Sequence, residues 1–133
     1  MGYYTTIEGE ITITPPLAWS EFRTSAFNSA SLDTYDGMKN VKLRVVEESV
    51  DTDEGQLIRR TATALVPAWG DSSKYYYLVE HVQEVIDAFP GHAFAGRLDC
   101  NGEEAGDLWR CIIRDGRAVK VTPQLVWPDD AEG

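Results

Sequence analysis

The sequence predicts an α+β fold, a single antiparallel sheet of about six strands with one long helix packed on one face. Three observations carry that expectation. Tyr3–Thr14 alternates apolar and polar residues, Lys74–Phe89 repeats its apolar positions at intervals of three and four, and three more alternating runs follow Pro90-Gly91. The element order is strand, short helix, strand, strand, long helix, then three strands. Its first six elements follow the split βαβ order of ferredoxin-like folds, and the last strands extend it as a C-terminal meander.

In the first strand Ile7, Gly9, Ile11 and Ile13 share one side, and Thr6, Glu8, Glu10, Thr12 and Thr14 the other. Pro15-Pro16 is expected to stop it, because proline donates no ladder hydrogen bond. Leu17–Arg23 has room for one or two helical turns with Trp19 and Phe22 on one face, and residues 24–40, rich in Ser, Asn, Asp and Gly, read as loop. Val41–Val50 and Gln56–Val66 form a hairpin around Asp51–Gly55. One register sets Val41, Leu43 and Val45 against Val66, Ala64 and Ala62, and the same register sets Glu47 against Arg60 and Glu48 against Arg59.

The helix over Lys74–Phe89 buries Tyr75, Leu78, Val79, Val82, Val85, Ile86 and Phe89, with Asp71, Ser72 or Ser73 as its cap and Pro90-Gly91 as its stop. Tyr77, Glu80, His81, Glu84 and Asp87 fall on its wet face. In the meander, a turn at Ala105-Gly106 sets Leu98 against Ile113, Cys100 against Cys111 and Gly102 against Trp109. For the next turn, a two-residue Asp115-Gly116 hairpin would bring Lys120 against Cys111 on the buried face. A three-residue loop, Arg114-Asp115-Gly116, with Gly116 left-handed in a bulge, keeps Val119 and Val121 there instead and is the expected form.

The length of 133 residues suits one domain, taken as residues 1–128, followed by a frayed acidic tail, Asp129–Gly133. Twenty-two acidic against 12 basic residues give a net charge of −10, which disfavours nucleic acid and anionic membranes as partners. No apolar stretch is long enough to span a bilayer, and the N-terminus has no basic head followed by an apolar run. Two cysteines without C-x-x-C spacing or a nearby histidine argue against a zinc site or redox motif, and place the chain in a reducing, cytoplasmic setting with no cofactor.

Two stretches, Gly9–Trp19 (GEITITPPLAW) and Gly102–Arg110 (GEEAGDLWR), resemble a small family of uncharacterised proteins from actinobacteria and their phages. The resemblance covers most of the chain. It implies a small accessory protein of bacterial or phage origin and supplies no functional residue.

Several constellations bear on function. Glu103, Glu104 and Asp107 crowd one turn, but lack the regular twelve-residue oxygen spacing of a calcium loop and read as a solvated tip. His81 beside Glu80 and Glu84 has no sequence-tied nucleophile, and His92 reads as a loop residue or strand start. The meander registers gather Arg97, Arg110, Arg114 and Lys120 on one wet face beside Asp99, Asn101 and Thr122, a basic stripe on an acidic protein suited to phosphate or carboxylate oxygens. The acidic run Glu47, Glu48, Asp51, Asp53 and Glu54, partly offset by Arg59 and Arg60, suits a basic protein surface or the mimicry of nucleic-acid phosphates. Trp69, in Pro67-Ala68-Trp69-Gly70, is the first candidate for an exposed anchor, and Tyr75–Tyr77, Trp19 and Trp127 supply further rings.

These features favour a non-enzymatic protein that works through a protein partner, including a homodimer through a sheet edge or aromatic patch. The alternative is a small anionic-ligand or nucleotide-binding module using Arg97, Arg110, Arg114 and Lys120. A third reading is a small hydrolase built on His81 and carboxylates.

Overall fold

The structure, a computed structural model, describes residues 4–28, 39–68, 77–104, 106–124 and 126–128. Among them the strands are β1 (Thr5–Ala18), β2 (Val41–Thr52), β3 (Gly55–Pro67), β4 (Ala93–Gly102), β5 (Leu108–Arg114) and β6 (Arg117–Val121), with helices α1 (Trp19–Phe22) and α2 (Leu78–Ala88). They form one antiparallel sheet in the order β2-β3-β1-β4-β5-β6. The first four strands keep the order expected of a split βαβ unit, and β5 and β6 extend it beyond β4. The helix on the sheet is short, 11 residues rather than the span Lys74–Phe89. Its expected caps, with Tyr75 and Tyr76, lie outside the described residues, as do Trp69, Ala105 and the tail.

The buried face of the sheet is built by alternation. Ile11 and Ile13 of β1, Leu43 of β2, Leu65 of β3, Leu98 and Cys100 of β4 and Cys111 of β5 meet Leu78, Val82 and Val85 of α2 and Phe22 of α1 in one core. Each fully buried aliphatic or phenyl side chain contributes about 1.5–3 kcal/mol. Ile7 sits half-buried at the margin of this face.

The prolines do not stop β1. The strand pairs with β4 as far as Thr14↔Ala93, and with β3 it leaves register after Thr12↔Ala64 and resumes at Leu17↔Ala62. Ile13 to Pro16 therefore span the single residue Thr63, and neither proline needs a ladder donor on either side. The Thr14-Pro15 peptide bond is cis.

Thr63 also interrupts the hairpin. From Val45↔Ala62 outward the register is the expected one, including Glu47↔Arg60 and Glu48↔Arg59, but Thr63 is an extra residue on β3. The inner half is consequently displaced by one, to Leu43↔Leu65 and Val41↔Pro67. An apolar face alone could not reveal this, because Ala62, Ala64 and Leu65 are all buried.

β4 and β5 pair two residues away from the expected register, Leu98↔Cys111 and Cys100↔Trp109, because the connection runs from Gly102 to Asp107 rather than through a two-residue turn. It is closed by Gly102 N–H donating to Asp107 O at 2.8 Å and Asp107 N–H to Glu104 O at 3.1 Å. An even displacement keeps each side chain on its face. Cys100 and Cys111 are thus both buried and free, but diagonal rather than opposite.

The last turn overturns the bulge. Arg114↔Arg117 closes a two-residue loop in which Asp115 (φ 53°) and Gly116 (φ 75°) are both left-handed, as a type I′ hairpin requires. Lys120 stands opposite Cys111 after all. This is tolerable because β6 is an edge strand and the side chain reaches over the Trp109 ring, Nζ 4.7 Å from its centroid.

Candidate functional site

Beyond Thr61 the β2–β3 hairpin leaves the sheet. The last β1 pair on that side is Ala18↔Thr61, after which the chain turns into α1, so residues 46–52 and 55–60 form a two-stranded arm. Their sequence departs from alternation: Leu57-Ile58 and Arg59-Arg60 put one apolar and one cationic residue on each face. A ribbon so patterned has no face to bury. Leu57 and Ile58 are 53% and 52% exposed and Val46 44%.

The base of the arm is anchored. Arg60 Nε donates to Glu47 Oε2 at 2.9 Å, and Arg59 Nη1 lies 3.6 Å from Glu48 Oε1. The Arg60 guanidinium also sits 5.5 Å from the centroid of Trp19, whose ring makes an edge contact with buried Phe22. Trp19, 40% exposed, and Ile58 flank a groove of about 380 Å³ along the free edge of β3. At the tip, Thr52 Oγ1 donates to Gly55 O at 2.7 Å. Asp51, Asp53 and Glu54 take part in none of the ion pairs among the described residues.

The α1 platform is held by a charged junction. Glu21 Oε1 accepts the Ala18 N–H at 2.9 Å. His92 donates from Nδ1 to Pro15 O at 2.6 Å and from Nε2 to Glu21 Oε2 at 2.8 Å. Burial pushes the imidazole pKa down, but the Pro15 carbonyl and the Glu21 carboxylate outweigh it and hold His92 above its ordinary value. The Ala18 N–H, then His92, holds Glu21 below the usual carboxylate range. His92 lies in the connection just before β4, as expected, and both of its ring nitrogens are committed to structural contacts.

The other histidine is structural too. His81, expected on the wet face, is half-buried: its Nδ1 accepts the Asn40 N–H at 2.9 Å, while Asn40 Oδ1 accepts the Tyr77 N–H at 2.8 Å. This reciprocal pair satisfies the start of α2 from another part of the chain. Burial, then the Lys39 charge, pushes the His81 pKa down. Its ring nitrogen is committed to the backbone. Burial pushes the thiols of Cys100 and Cys111 up to about 12 and about 11, so neither offers a thiolate near neutral pH.

On the meander's wet face the predicted cations are divided. Arg97 Nε and Arg110 Nε lie 3.2 and 2.9 Å from the same Asp99 Oδ1. That oxygen is shielded from solvent and takes no hydrogen bond of good geometry, so the contacts are ionic. Arg114 is exposed at the turn, and Lys120 lies on the opposite face over Trp109. Nearby, Leu108, Arg110, Val121 and Pro123 help line a groove of about 340 Å³. Glu10 pairs with Arg44 farther along the sheet. At the acidic turn Glu103 Oε1 accepts the Tyr4 N–H at 2.8 Å, and the described residues contain no group of three or more His, Cys, Asp or Glu that could hold a metal ion. They contain no helix long and apolar enough to cross a membrane.

The acidic run and Arg59-Arg60 are thus brought together on the arm, whereas the exposed Leu57, Ile58 and Val46 were not among the expected site residues. Their signal was the doubled pattern, Leu-Ile then Arg-Arg, in strands of 12 and 13 residues, longer than the sheet body needs. Comparison with curated proteins and with solved structures returned no match. The profile of one family matches residues 1–133, the whole chain, and the protein therefore belongs to DUF6205, a family of unknown function.

Proposed function

We propose that the protein acts by binding another protein chain through the β2–β3 arm, in the bacterial or phage accessory role that its sequence resemblance implies. The observation that carries this reading is the arm itself, a ribbon outside the sheet that exposes Leu57, Ile58 and Val46 without any core to justify them. Apolar side chains exposed along an open strand edge suit docking, because such an edge is a natural rail for an added strand. The groove beside Trp19 adds an aromatic wall of the kind enriched in binding hot spots.

The second reading is an anionic ligand on the meander, at the groove that includes Arg110. It is weakened by Asp99, which draws on both Arg97 and Arg110, and by Lys120, which faces the other way. Affinity purification from the source cell tests the choice. The double substitution Leu57→Glu, Ile58→Glu is expected to lose the co-purifying proteins, and Arg97→Glu, Arg110→Glu to keep them. The reverse pattern transfers the function to the meander, and retention by both variants removes it from either site.

A further inference from the structure

We infer that the occupant of the arm is a second copy of this chain, whose β3 strand pairs antiparallel with β3 along its free edge. The inference rests on the arm being the binding surface and names what binds there. Two edges are open. In β2, self-pairing centred on Ser49 would set Glu47 of each copy against Asp51 of the other, and like charges directly opposite are destabilising. In β3 the charges are arranged the other way. Acidic Asp53 and Glu54 stand at the tip and Arg59 and Arg60 at the base, so an antiparallel pair brings each tip to the partner's base.

The length of free edge selects the register. Thr52↔Gly55 closes the two-residue turn as a hydrogen-bonded pair, so Gln56, Ile58 and Arg60 direct their backbone N–H and C=O groups away from β2. Those groups meet no β1 partner, because β1 occupies the edge only as far as Ala18↔Thr61. An incoming strand must therefore end opposite Arg60. Centring the two-fold axis on Leu57 does this: Leu57 faces Leu57 of the second copy, Gln56 faces Ile58, and Glu54 comes to Arg60. Moving the centre to Ile58 would drive Gly55 into the position held by Ala18, and moving it to Arg59 would oppose two arginines. One register satisfies the sterics, the charges and the apolar centre together.

Sedimentation equilibrium of the full chain tests this, with charge exchange as its specific arm. The parent is expected at twice the mass of one chain. Leu57→Asp, Glu54→Arg and Arg60→Glu are each expected to raise the dimer Kd at least ~10-fold, because each puts like charges or a desolvated carboxylate at the seam. Mixing the Glu54→Arg chain with the Arg60→Glu chain is expected to restore a mixed dimer, since both seam contacts are then between opposite charges. A single-chain mass for the parent at every concentration overturns the inference, as does a dimer indifferent to all three substitutions or a mixture that stays monomeric. If the parent is monomeric while Leu57→Glu, Ile58→Glu still loses a different protein, the arm keeps its binding role and only the self-pairing falls.

Discussion

The two hairpin regions of the sheet carry similar residues and use them differently. In the β4–β6 meander one face is committed to the core through Leu98, Cys100 and Cys111, and on the other face Arg97 and Arg110 converge on Asp99. In the β2–β3 arm neither face is buried, the tip acids stand apart from the base arginines, and Leu57 and Ile58 are left in water. Core burial explains the meander's pattern. It does not explain the arm's, and the proposed binding role rests on that difference.

Substitutions should separate the two regions by the size of their effect on stability. The largest loss is expected at Gly96, where β4 crosses β1. Its φ is +125°, and an added Cβ would lie 2.5 Å from the backbone oxygen of Glu10, so Gly96→Ala must shift main chain as well as accept strain. A loss of about 3 kcal/mol or more in urea unfolding is expected. Leu98→Ala should cost about 2–5 kcal/mol through lost burial and a cavity. Gly116→Val at the I′ turn should cost about 1–2 kcal/mol, since nothing crowds the site and only the left-handed backbone is penalised. Leu57→Ser in the arm should stay within about 0.5 kcal/mol. An arm substitution as costly as Leu98→Ala would show that the ribbon is part of the core and would remove the contrast.

The two histidines sharpen the same comparison through pH. The pKa of His92 is raised in the folded state, so its contribution is full below the unfolded value of about 6.5 and is lost as pH rises through the folded value. The pKa of His81 is lowered, so its contribution is full above about 6.5 and falls away as pH drops toward the folded value. The stability deficit of His92→Gln relative to the parent should therefore shrink with rising pH, and that of His81→Ala should shrink with falling pH. Denaturant midpoints across the neutral range check both trends, and parallel profiles would contradict the assigned contacts.

Much of the fold was legible because alternation is a local property. Ile11, Ile13, Leu43, Leu98 and Cys111 are all on the face their spacing assigns. Registers were less legible where loops intervene: the Gly102–Asp107 connection displaced β5 by two residues, which alternation cannot detect because faces are preserved. Lys120 was misplaced for a different reason. A lysine opposite a buried cysteine is costly in a central strand, but on the edge strand β6 its ammonium reaches over Trp109 into solvent. The Asn40–His81 and Glu21–His92 junctions join residues 41 and 71 positions apart, beyond any spacing argument. The exposed arm could be read only from the breakdown of alternation at Leu57-Ile58 and Arg59-Arg60.

The most direct test places a photo-crosslinking amino acid at Leu57 in one variant and at Ile112, on the meander's wet face, in another. Each is irradiated in the source cell, and adducts are identified by mass. The account predicts protein adducts from position 57, including the chain joined to itself, and few or none from position 112. Adducts confined to position 112, or none from position 57, would contradict the arm as the site of binding.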